Sequence, residues 1–526
     1  MKHLHVLRPV RTFVAQSLLG AAFLSACAAH ATPAPRVAPT VASAPVPAAP
    51  AAPAAPAKPA TKGKLELALD SVHADKIRSD EFFIASDELG GRDTPSLGQR
   101  VAARYIRARL ERLGWHPGAK DGGFFFRYPL EQRKLDEEAS KIEWKRGEEQ
   151  GDLRFGTDYY FASSFDIKEL AASGGVVFCG DAGAAAFDKA PVAGKWALCF
   201  DDGTELRKLR APAHQAGAIG VLMGPGPAYS GEPYEKRFAK DLERQRRGSV
   251  FPKKKPAAGE EAKDEKKDDT IPMVAVSSAA VSRLLAANPA PAAGTDLGVV
   301  VSETRKVAGP IEVEDVCGFW PGSDPKLAKE TIIISAHYDH VGTQRGVVYN
   351  GADDNGSGTC GLMAIAEALA GYGPMRRSVM LIWVSGEEKG LWGSAAWTKD
   401  PWLPDDAKPI CDINIDMIGR NAPDKLLITP TKALPQYNGL VRIAEKVSPL
   451  EGFPKLGSCD EYWTRSDHMN FSQNLKVPVT FLFSDVHEDY HQPTDKPEKI
   501  DNDKIRRVSR MVLRMLEELQ ADTLEL

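Results

Sequence analysis

In the second half of the chain, wholly apolar segments alternate with segments whose apolar residues recur at helical spacing. TIIISA, SVMLIWVS and VPVTFLF are of the first kind, and TCGLMAIAEALAG and KIRRVSRMVLRMLEELQ are of the second. A strand without polar positions is buried on both faces, as parallel strands covered by helices are. From residue 310 onward the pattern therefore predicts an α/β domain, with a mainly parallel mixed sheet flanked by helices.

A helical pattern also occurs nearer the N-terminus, between Leu65 and Trp115. In VAARYIRARLERLGW the apolar residues fall on one stripe with arginines opposite, and Gly114 is a natural end point. The residues of this stripe are Val101, Tyr105, Ile106, Leu110 and Leu113. We expect a helix that packs through this stripe.

The stretch from about 165 to 305 has a third pattern. GGVVFCG, KWALCF, AIGVLMG and IPMVAVS are short apolar segments bounded by Gly, Pro and Asp, and LRKLRAPAHQAG is helical in spacing. They predict a small β-rich unit with one helix between two of its strands. The charged run KKKPAAGEEAKDEKKDD at 253–269 interrupts this unit and is typical of a solvated loop.

The first 27 residues have the pattern of an export signal. Lys2, Arg8 and Arg11 precede an apolar stretch from Phe13 to Ala26, which is too short for a good membrane span. The stretch ends in LSAC, which resembles a bacterial lipobox and implies lipidation of Cys27. The alternative is an ordinary signal peptide cut near the Ala-rich stretch.

The residues after Cys27 bear on localisation. Ala28, rather than Asp, follows the cysteine. By resemblance to Gram-negative sorting rules, this implies anchoring in the outer membrane of an exported lipoprotein. Residues 28–62 are almost all Ala, Pro, Thr and Val, so they predict an extended linker between anchor and folded body.

The length of the chain bears on the number of domains, and its net charge bears on the partners to expect. The chain has 526 residues, too many for one ordinary domain. We divide it into a lipoprotein signal at 1–27, a linker at 28–62, the N-terminal part of the main domain at 63–160, an inserted β-rich unit at 161–305 and the main α/β domain at 306–526. The net charge of −4 shows no basic excess, so we expect no nucleic-acid partner and membrane contact only through the lipid anchor.

The seven cysteines lack CxxC spacing, so a thiolate zinc site is not expected. Cys179 and Cys199 end two apolar segments of the same unit and are the best candidates for a disulfide in an exported protein. The alternative is that both are small buried apolar side chains.

Four of the apolar strands run into residues that bind metals. TIIISA is followed by His337, SVMLIWVS by Glu387 and Glu388, CDINI by Asp416, and VPVTFLFSD, after a short gap, by His491. Asp353 and Asp354 lie at the turn that enters the next helix. Because ligands of open α/β sheets bind at the carboxyl ends of the strands, we expect these side chains to converge on one site.

Histidine and carboxylate ligands without cysteine suit zinc, with manganese or cobalt as alternatives. So many carboxylates close together without a cation would raise one another's pKa. A centre with two metal ions resolves the conflict if one aspartate bridges ions about 3.5–4 Å apart.

Five blocks in this order, AHYDHVG, GADDNGSG, SGEEKGLWGS, NIDMIG and YHQPTD, resemble the signature of the co-catalytic zinc peptidases of metallopeptidase family twenty-eight. This family includes secreted leucyl-type aminopeptidases and glutamate carboxypeptidases. The resemblance covers about 310–526 and implies a zinc-exopeptidase fold with two zinc ions and a peptide substrate. VAGKWALCFDDG and HQAGAIGVLMG resemble a protease-associated domain, which members of this family carry as an insertion.

The resemblance implies a role for each residue. Asp354 would bridge the metals, with Asp353 a weaker candidate for the same role, and the Asp354–Asn355 peptide would be cis. The other implied metal ligands are His337 and Asp416 for one ion, and Glu388 and His491 for the other. Asp339 would orient His337, Glu387 would be the general base, and Tyr490 would stabilise the oxyanion.

Alternatives remain at this point for single residues and for the activity. His340, Asp467 and His468 fit a structural role as well as a substrate-side one, and Trp383, Trp392 and Trp397 are most simply packing residues. An aminopeptidase is the first hypothesis. Arg420 and Arg465 keep a carboxypeptidase or dipeptidase open, because a cation could bind the substrate's carboxylate. A non-catalytic binding lipoprotein or an acyltransferase-type relative is disfavoured, because the chain keeps all five ligands and the base.

Overall fold

Two large β-sheets, one of ten strands and one of eight, organise the chain. The computed structural model describes residues 62–526 except 162, 164–166, 189, 254–270, 287, 289 and 290. The predicted signal peptide, nearly all of the linker and of the charged run lie outside the described residues. Within the described part of the chain, no helix is both long enough and apolar enough to cross a membrane.

The α-helices are α1 Lys64–Ser71, α2 Ala74–Ile84, α3 Leu97–Arg112, α4 Arg210–Gln215, α5 Tyr234–Arg237, α6 Ala239–Arg247, α7 Ser278–Leu285, α8 Gly358–Tyr372, α9 Trp392–Lys399, α10 Gly439–Val447, α11 His468–Asn470 and α12 Asn502–Glu518.

The strands are β1 His116–Pro117, β2 Phe125–Arg133, β3 Lys141–Arg146, β4 Glu149–Leu153, β5 Tyr159–Phe161, β6 Leu170–Asp181, β7 Trp196–Phe200, β8 Gly220–Gly224, β9 Ser249–Pro252, β10 Met273–Val276, β11 Asp296–Arg305, β12 Ile311–Trp320, β13 Glu330–His337, β14 Thr343–Gln344, β15 Val347–Val348, β16 Ser378–Val384, β17 Lys408–Asp416, β18 Leu427–Thr429, β19 Gly457–Ser458 and β20 Val479–Phe483.

The larger sheet has a parallel centre. Its order is β19-β18-β20-β17-β13-β16-β12-β2-β9, with β1 beside β12. The four central strands, β20, β17, β13 and β16, are parallel, whereas β12, β2 and β9 join antiparallel. The predicted α/β class is confirmed, and the four central parallel strands are those that the apolar segments predicted. At one edge of the sheet, β18 and β19 also pair in parallel.

Both faces of this sheet are covered, as the unbroken apolar strands require. Ile332 and Ile334 of β13 belong to a core that includes buried residues of α1, α2, α3, α8, α10 and α12. Ile333, between them, faces the opposite way, into a core that includes Trp397 of α9. Successive strand residues point to opposite faces, so one run of isoleucines serves two layers.

The second sheet has the order β4-β3-β11-β6-β7-β8-β10-β5. It starts at Lys141, ahead of the boundary at 161 that the sequence suggested for the inserted unit. Between β8 and β10 of this sheet, the chain forms β9, which pairs with β2 of the larger sheet. The stretch is therefore tied to the main sheet by backbone hydrogen bonds. Cys179 and Cys199, on neighbouring strands, are buried free thiols that pack in one apolar cluster.

The stripe predicted for α3 is only partly correct. Ile106 and Leu110 are fully buried, but Val101 is 39% exposed. Ala102 and Ala103 are buried in its place. Small side chains at these positions let α3 approach the core closely, and this rotates the buried stripe away from Val101.

The start of α3 provides a test of this packing. An added Cβ at Gly98 would lie 1.7 Å from the carbonyl oxygen of Leu89, so Gly98→Ala forces backbone to move. We expect it to lower the free energy of unfolding by about 1–3 kcal/mol or more. Gly371→Ala in α8 is the matched control, because nothing lies within 4 Å of its added Cβ. It should leave the melting temperature unchanged or raise it. Equal melting temperatures for the two variants would contradict the close packing at Gly98.

Candidate metal centre

The carboxyl ends of the parallel strands meet at one edge of the larger sheet. His337 is the last residue of β13, and Asp416 is the last residue of β17. Glu388 follows β16 in a short 3-10 turn, Glu387–Lys389, and His491 follows β20. The fold therefore brings together the residues that the sequence placed after its apolar strands.

His337, Asp354 and Asp416 form the first cluster of side chains that could hold a metal. The Nε2 atom of His337 lies 3.2 Å from Oδ1 of Asp416 and 3.5 Å from Oδ1 of Asp354. All three residues are buried. Their ligand atoms lie within 4.8 Å of one another, which is close enough for one ion to contact all of them.

A second cluster consists of His340, Asp354, Glu388 and His491. Nε2 of His491 lies 3.0 Å from Oδ2 of Asp354 and 3.1 Å from Oε2 of Glu388. Nδ1 of His340 lies 2.7 Å from Oε1 of Glu388. Asp354 belongs to both clusters and presents a different oxygen to each, as a bridging ligand does.

The loop that carries Asp354 is fastened on two sides. Asp495 accepts hydrogen bonds from the backbone N–H groups of Asp353 and Asp354, at 3.0 and 3.2 Å. Asn355 donates to the carbonyl of Ile415 in β17 at 3.0 Å. The Asp354–Asn355 peptide is cis, as the family resemblance implied. Asp353 points elsewhere, accepting from Gly419 N–H at 2.7 Å, and is not part of either cluster.

Gly351 allows this loop to approach His340. Its φ is +58°, a left-handed conformation that glycine adopts readily. A Cβ there would lie 2.3 Å from the ring of His340 and 2.2 Å from the carbonyl oxygen of Asp354. A side chain at 351 would therefore displace members of the second cluster.

The electrostatics of the clusters call for a cation. Burial raises the pKa of Asp354, and the charge of Glu388 adds to this. Burial opposes the charged form of His337, but the carboxylates of Asp416 and Glu387 outweigh it and raise the pKa of His337 well above its usual value. The acids and imidazoles thus compete for protons that a divalent ion would replace.

The buried polar atoms of the second cluster support the same conclusion. Nε2 of His340 is buried without a hydrogen-bond partner among the described residues, and Nδ1 of the same ring lies 2.7 Å from Oε1 of Glu388. A ring nitrogen without a partner can serve as a metal ligand. Imidazole and carboxylate donors with no thiolate suit zinc. The clusters therefore have the composition and spacing of a zinc-binding site.

The first cluster has supporting partners around it. Oδ2 of Asp416 accepts a hydrogen bond from the Ser466 hydroxyl at 3.0 Å. Nδ1 of His337 lies 3.2 Å from the backbone carbonyl of Asp339 and 3.8 Å from the Asp339 carboxylate. The closer partner of His337 is thus the carbonyl, rather than the side chain named in the prediction. Burial raises the pKa of Asp339 to about 7.

A cavity of about 330 Å³ opens beside the clusters. Asp354, Glu387 and Asp416 line its metal end. The rest of its lining is largely apolar and aromatic, with one arginine: Met417, Tyr462, Arg465, Ser466, Phe481, Phe483, Val486 and Tyr490. Burial raises the pKa of Glu387 well above its usual range. Glu387 belongs to neither ligand cluster, so its carboxylate is free to act on a molecule in the cavity.

Several other predicted residues receive a definite place. Tyr490 stacks on His491 with ring centroids 4.0 Å apart and lines the cavity. Arg420 pairs with Asp489 at 2.8 Å and does not line the cavity. Arg465 lines it.

Four other residues whose roles the sequence left open are buried. His468 is buried against Phe481, and burial lowers its pKa to about 3, so its ring is neutral. Asp467 accepts a hydrogen bond from Ser394. Trp383 and Trp397 are fully buried.

Sequence reasoning did not assign His340 to the metal. It stands three residues after His337 in HYDH, and its side chain reaches the same edge of the sheet. A second histidine in the same block could have suggested a further ligand. The direction of its side chain, after the end of the strand, could not be predicted from the sequence.

The comparisons with known proteins agree with this arrangement. The profile of peptidase family M28 matches residues 315–516. Aminopeptidase YwaD of Bacillus subtilis is 25% identical over 195 residues, covering 36% of this chain and 41% of the relative. The alignment thus spans less than half of that relative's length.

Solved structures that the chain resembles include an aminopeptidase from Aneurinibacillus sp. strain AM-1, at 17% identity and a TM-score of 0.45, covering 86% of this chain and 95% of that one. A zinc aminopeptidase from Bacillus subtilis has 17% identity and a TM-score of 0.45, covering 85% and 94%. Every residue of the two ligand clusters lies within the stretch that matches the family profile. Residues 315–516 are therefore similar to peptidase family M28.

Proposed function

We propose that the protein is a metal-dependent aminopeptidase that removes N-terminal residues from peptides by hydrolysis. One observation carries the proposal: Asp354 joins two ligand clusters at the end of a cavity into which the separate carboxylate of Glu387 points. The similarity to a Bacillus aminopeptidase over part of its length supports the same activity. A non-catalytic binding protein would not require a free acid beside a complete set of ligands.

Two divalent ions, zinc by preference and manganese or cobalt as alternatives, fit the two clusters. His337 and Asp416 would hold one ion, Glu388 and His491 the other with His340 beside them, and Asp354 would contact both. When bound, the ions would polarise the scissile carbonyl and lower the pKa of the attacking water.

Glu387 has the position of a general base. Its carboxylate lines the cavity, and its backbone N–H is held at 3.2 Å by Oδ1 of Asp339. Burial raises the pKa of Glu387, so its ionised carboxylate is a stronger base toward the attacking water and holds the proton once transferred. The same carboxyl can then deliver the proton to the leaving amine. Tyr490, across the cavity, is suited to donate a hydrogen bond to the oxyanion, since burial raises its pKa and keeps it protonated.

The cavity suits an apolar side chain next to a free amine. Its walls include Met417, Phe481 and Phe483, which bury apolar surface favourably. Carboxylate oxygens at the metal end can accept hydrogen bonds from an ammonium group. We infer that the N-terminal residue of the peptide occupies this cavity.

A second candidate activity is favoured by one residue. The guanidinium of Arg465 lines the cavity and has no ion-pair partner in the described part of the chain. A cation in this position could bind a substrate carboxylate. This would make the enzyme a carboxypeptidase or a dipeptidase. Arg420 does not support this alternative, because Asp489 occupies it.

We also propose that the protein is exported and anchored through lipid on Cys27, in the outer membrane. The support is in the sequence alone: the basic residues before Phe13, the apolar stretch, LSAC and Ala28. Its substrates would then be peptides outside the cytoplasm.

The role of Glu387 can be separated from metal binding. Glu387→Gln should lower kcat by about 10²–10⁴-fold, because the amide cannot take the proton. The purified variant should still bind two zinc ions, since Glu387 lies outside both clusters. Kinetics with an aminoacyl reporter substrate and metal analysis by mass spectrometry measure the two effects.

Asp354→Asn is the matched control, because it also exchanges a carboxylate for an amide. It should weaken the binding of both ions, since Asp354 belongs to both clusters. Two findings would contradict the assignments: full turnover in Glu387→Gln, or a single bound ion in the wild-type protein saturated with zinc.

The end of the peptide that is recognised can be tested with blocked substrates. For an aminopeptidase, N-acetylation of a leucyl reporter should lower kcat/KM by at least about 100-fold, and C-terminal amidation of a peptide should have little effect. A loss of this size corresponds to roughly 3 kcal/mol, as expected for a charge-assisted hydrogen bond.

Arg465→Gln distinguishes an aminopeptidase from a carboxypeptidase or dipeptidase. If the free amine is recognised, the variant should cleave the leucyl reporter within about threefold of wild type. If the substrate's carboxylate is recognised, acetylated peptides should be cleaved, amidated ones should not, and Arg465→Gln should remove the preference. The second pattern would replace the aminopeptidase by a carboxypeptidase or dipeptidase.

Lipid anchoring has a direct test. Cys27→Ser removes the thiol that would carry the lipid, so the protein should move from the membrane pellet to the soluble fraction of cells that express it. An ordinary signal peptide would give the same fractionation for wild type and variant. Incorporation of labelled fatty acid into the wild type, but not into Cys27→Ser, is the second measurement.

A further inference from the structure

A short segment far from the metal-binding part of the sequence contacts three of the loops around the metal centre. This segment, Arg92–Thr94, lies between a 3-10 turn and α3, and outside the stretch that matches the family profile. Arg92 is fully buried. Its guanidinium donates to the carbonyls of Tyr338, Asn350 and Gly351 at 2.7–2.9 Å, next to His337 and to the loop of Asp354.

Thr94 is fully buried, and its hydroxyl has three partners. It donates to Oδ2 of Asp339 at 3.1 Å. It accepts from the backbone N–H of Gly386 and from the side-chain amide of Gln99, both at 3.1 Å. One hydroxyl can donate once and accept twice, so its capacity is fully used.

Asp339 extends these contacts to the reacting groups. While Oδ2 faces Thr94, Oδ1 accepts from the backbone N–H of Glu387 at 3.2 Å. The N–H groups of Gly386 and Glu387, at the start of the turn after β16, are thus bound by Thr94 and Asp339 respectively. The backbone carbonyl of Asp339 lies 3.2 Å from Nδ1 of His337. Thr94 and Asp339 thus hold the start of the turn that carries the base Glu387 and the ligand Glu388, and Asp339 also contacts the ligand His337.

We propose that Thr94 is a positioning residue for the metal centre. Its hydroxyl fixes the plane of the Asp339 carboxylate and the start of the Glu387–Glu388 turn, and so sets the direction of the base and of two ligands. This inference rests on the proposed function for its kinetic part, but the metal-binding part is independent of any activity. Groups that support metal ligands in this way change metal affinity or turnover by about 10–100-fold when removed.

Thr94→Val keeps the shape of the side chain and removes the hydroxyl. It leaves Gly386 N–H and Oδ2 of Asp339 without their partner. We expect zinc affinity, measured by competition with a chromophoric chelator, to fall by about 10–100-fold, and kcat to fall by a similar factor with KM changed less. Thr94→Ser restores the hydroxyl and should bind zinc and turn over within about threefold of wild type.

Thr331→Val is the matched control for burial. Thr331, in β13, is also fully buried, but its hydroxyl has no hydrogen-bond partner among the described residues. This variant should keep wild-type zinc affinity and kcat. A general effect of replacing a buried threonine would appear in both valine variants. An effect through Asp339 appears only in Thr94→Val.

Two outcomes would overturn the proposal: Thr94→Val that binds zinc and turns over like wild type, or Thr94→Ser as impaired as Thr94→Val, which would mean that shape rather than the hydroxyl matters. If Thr94→Val does not fold, the pair Thr94→Ala and Thr94→Ser makes the same comparison, since they differ by one hydroxyl. In a cycle with Asp339→Asn, the effects on zinc affinity should be non-additive. If the wild type cleaves no peptide, the proposed function fails while the zinc comparison still decides the role of Thr94.

Discussion

Like charges held close together in a protein interior are the constraint on which this structure depends. The ligand atoms of Asp354, Glu388 and Asp416 belong to clusters in which all atoms lie within 4.8 Å of one another. Two unit charges 4 Å apart interact by about 4 kcal/mol at an effective dielectric constant of 20. Protonated histidines can offset part of this repulsion, but they cannot do so and also present a free ring nitrogen. Divalent cations satisfy both demands, because they supply positive charge and accept the nitrogen lone pairs.

This charge cluster requires a rigid frame, since ligands that could move apart would relax instead of binding metal. The ligands stand at or just after the ends of parallel strands that are buried on both faces. Cross-links between elements complete the frame. Asn355 joins the bridging loop to β17, and Arg92 joins it to the end of β13. Such links hold side chains more closely than a loop alone can.

The central sheet and most of the ligands could be predicted because they depend on local patterns. A continuous apolar segment is enough to predict a buried strand, and the residue that follows the strand lies at the sheet edge whatever the distant sequence is. The contributions of Thr94 and Arg92 could not be predicted in this way, since their partners are more than two hundred residues away along the chain. The burial of Ala102 instead of Val101 has the same origin, because it is set by how closely α3 approaches strands that come later in the sequence. The course of β9 from the second stretch into the larger sheet also depends on a distant partner, β2.

Charge also bears on which end of a peptide the proposed aminopeptidase would bind in the cavity. The ligand carboxylates of Asp354, Glu388 and Asp416 together with Glu387 carry four negative charges when ionised, and two divalent ions would balance them. Asp339 is then the additional acid. It accepts hydrogen bonds from Thr94 and from Glu387 N–H, which favour its ionised form, whereas burial raises its pKa to about 7. With Asp339 ionised, the metal end would keep a negative excess, which supports the proposed recognition of an ammonium group. Arg465, also on the cavity wall, offers a donor to an acceptor elsewhere on the peptide, such as a backbone carbonyl, so its presence is compatible with recognition of a free N-terminus.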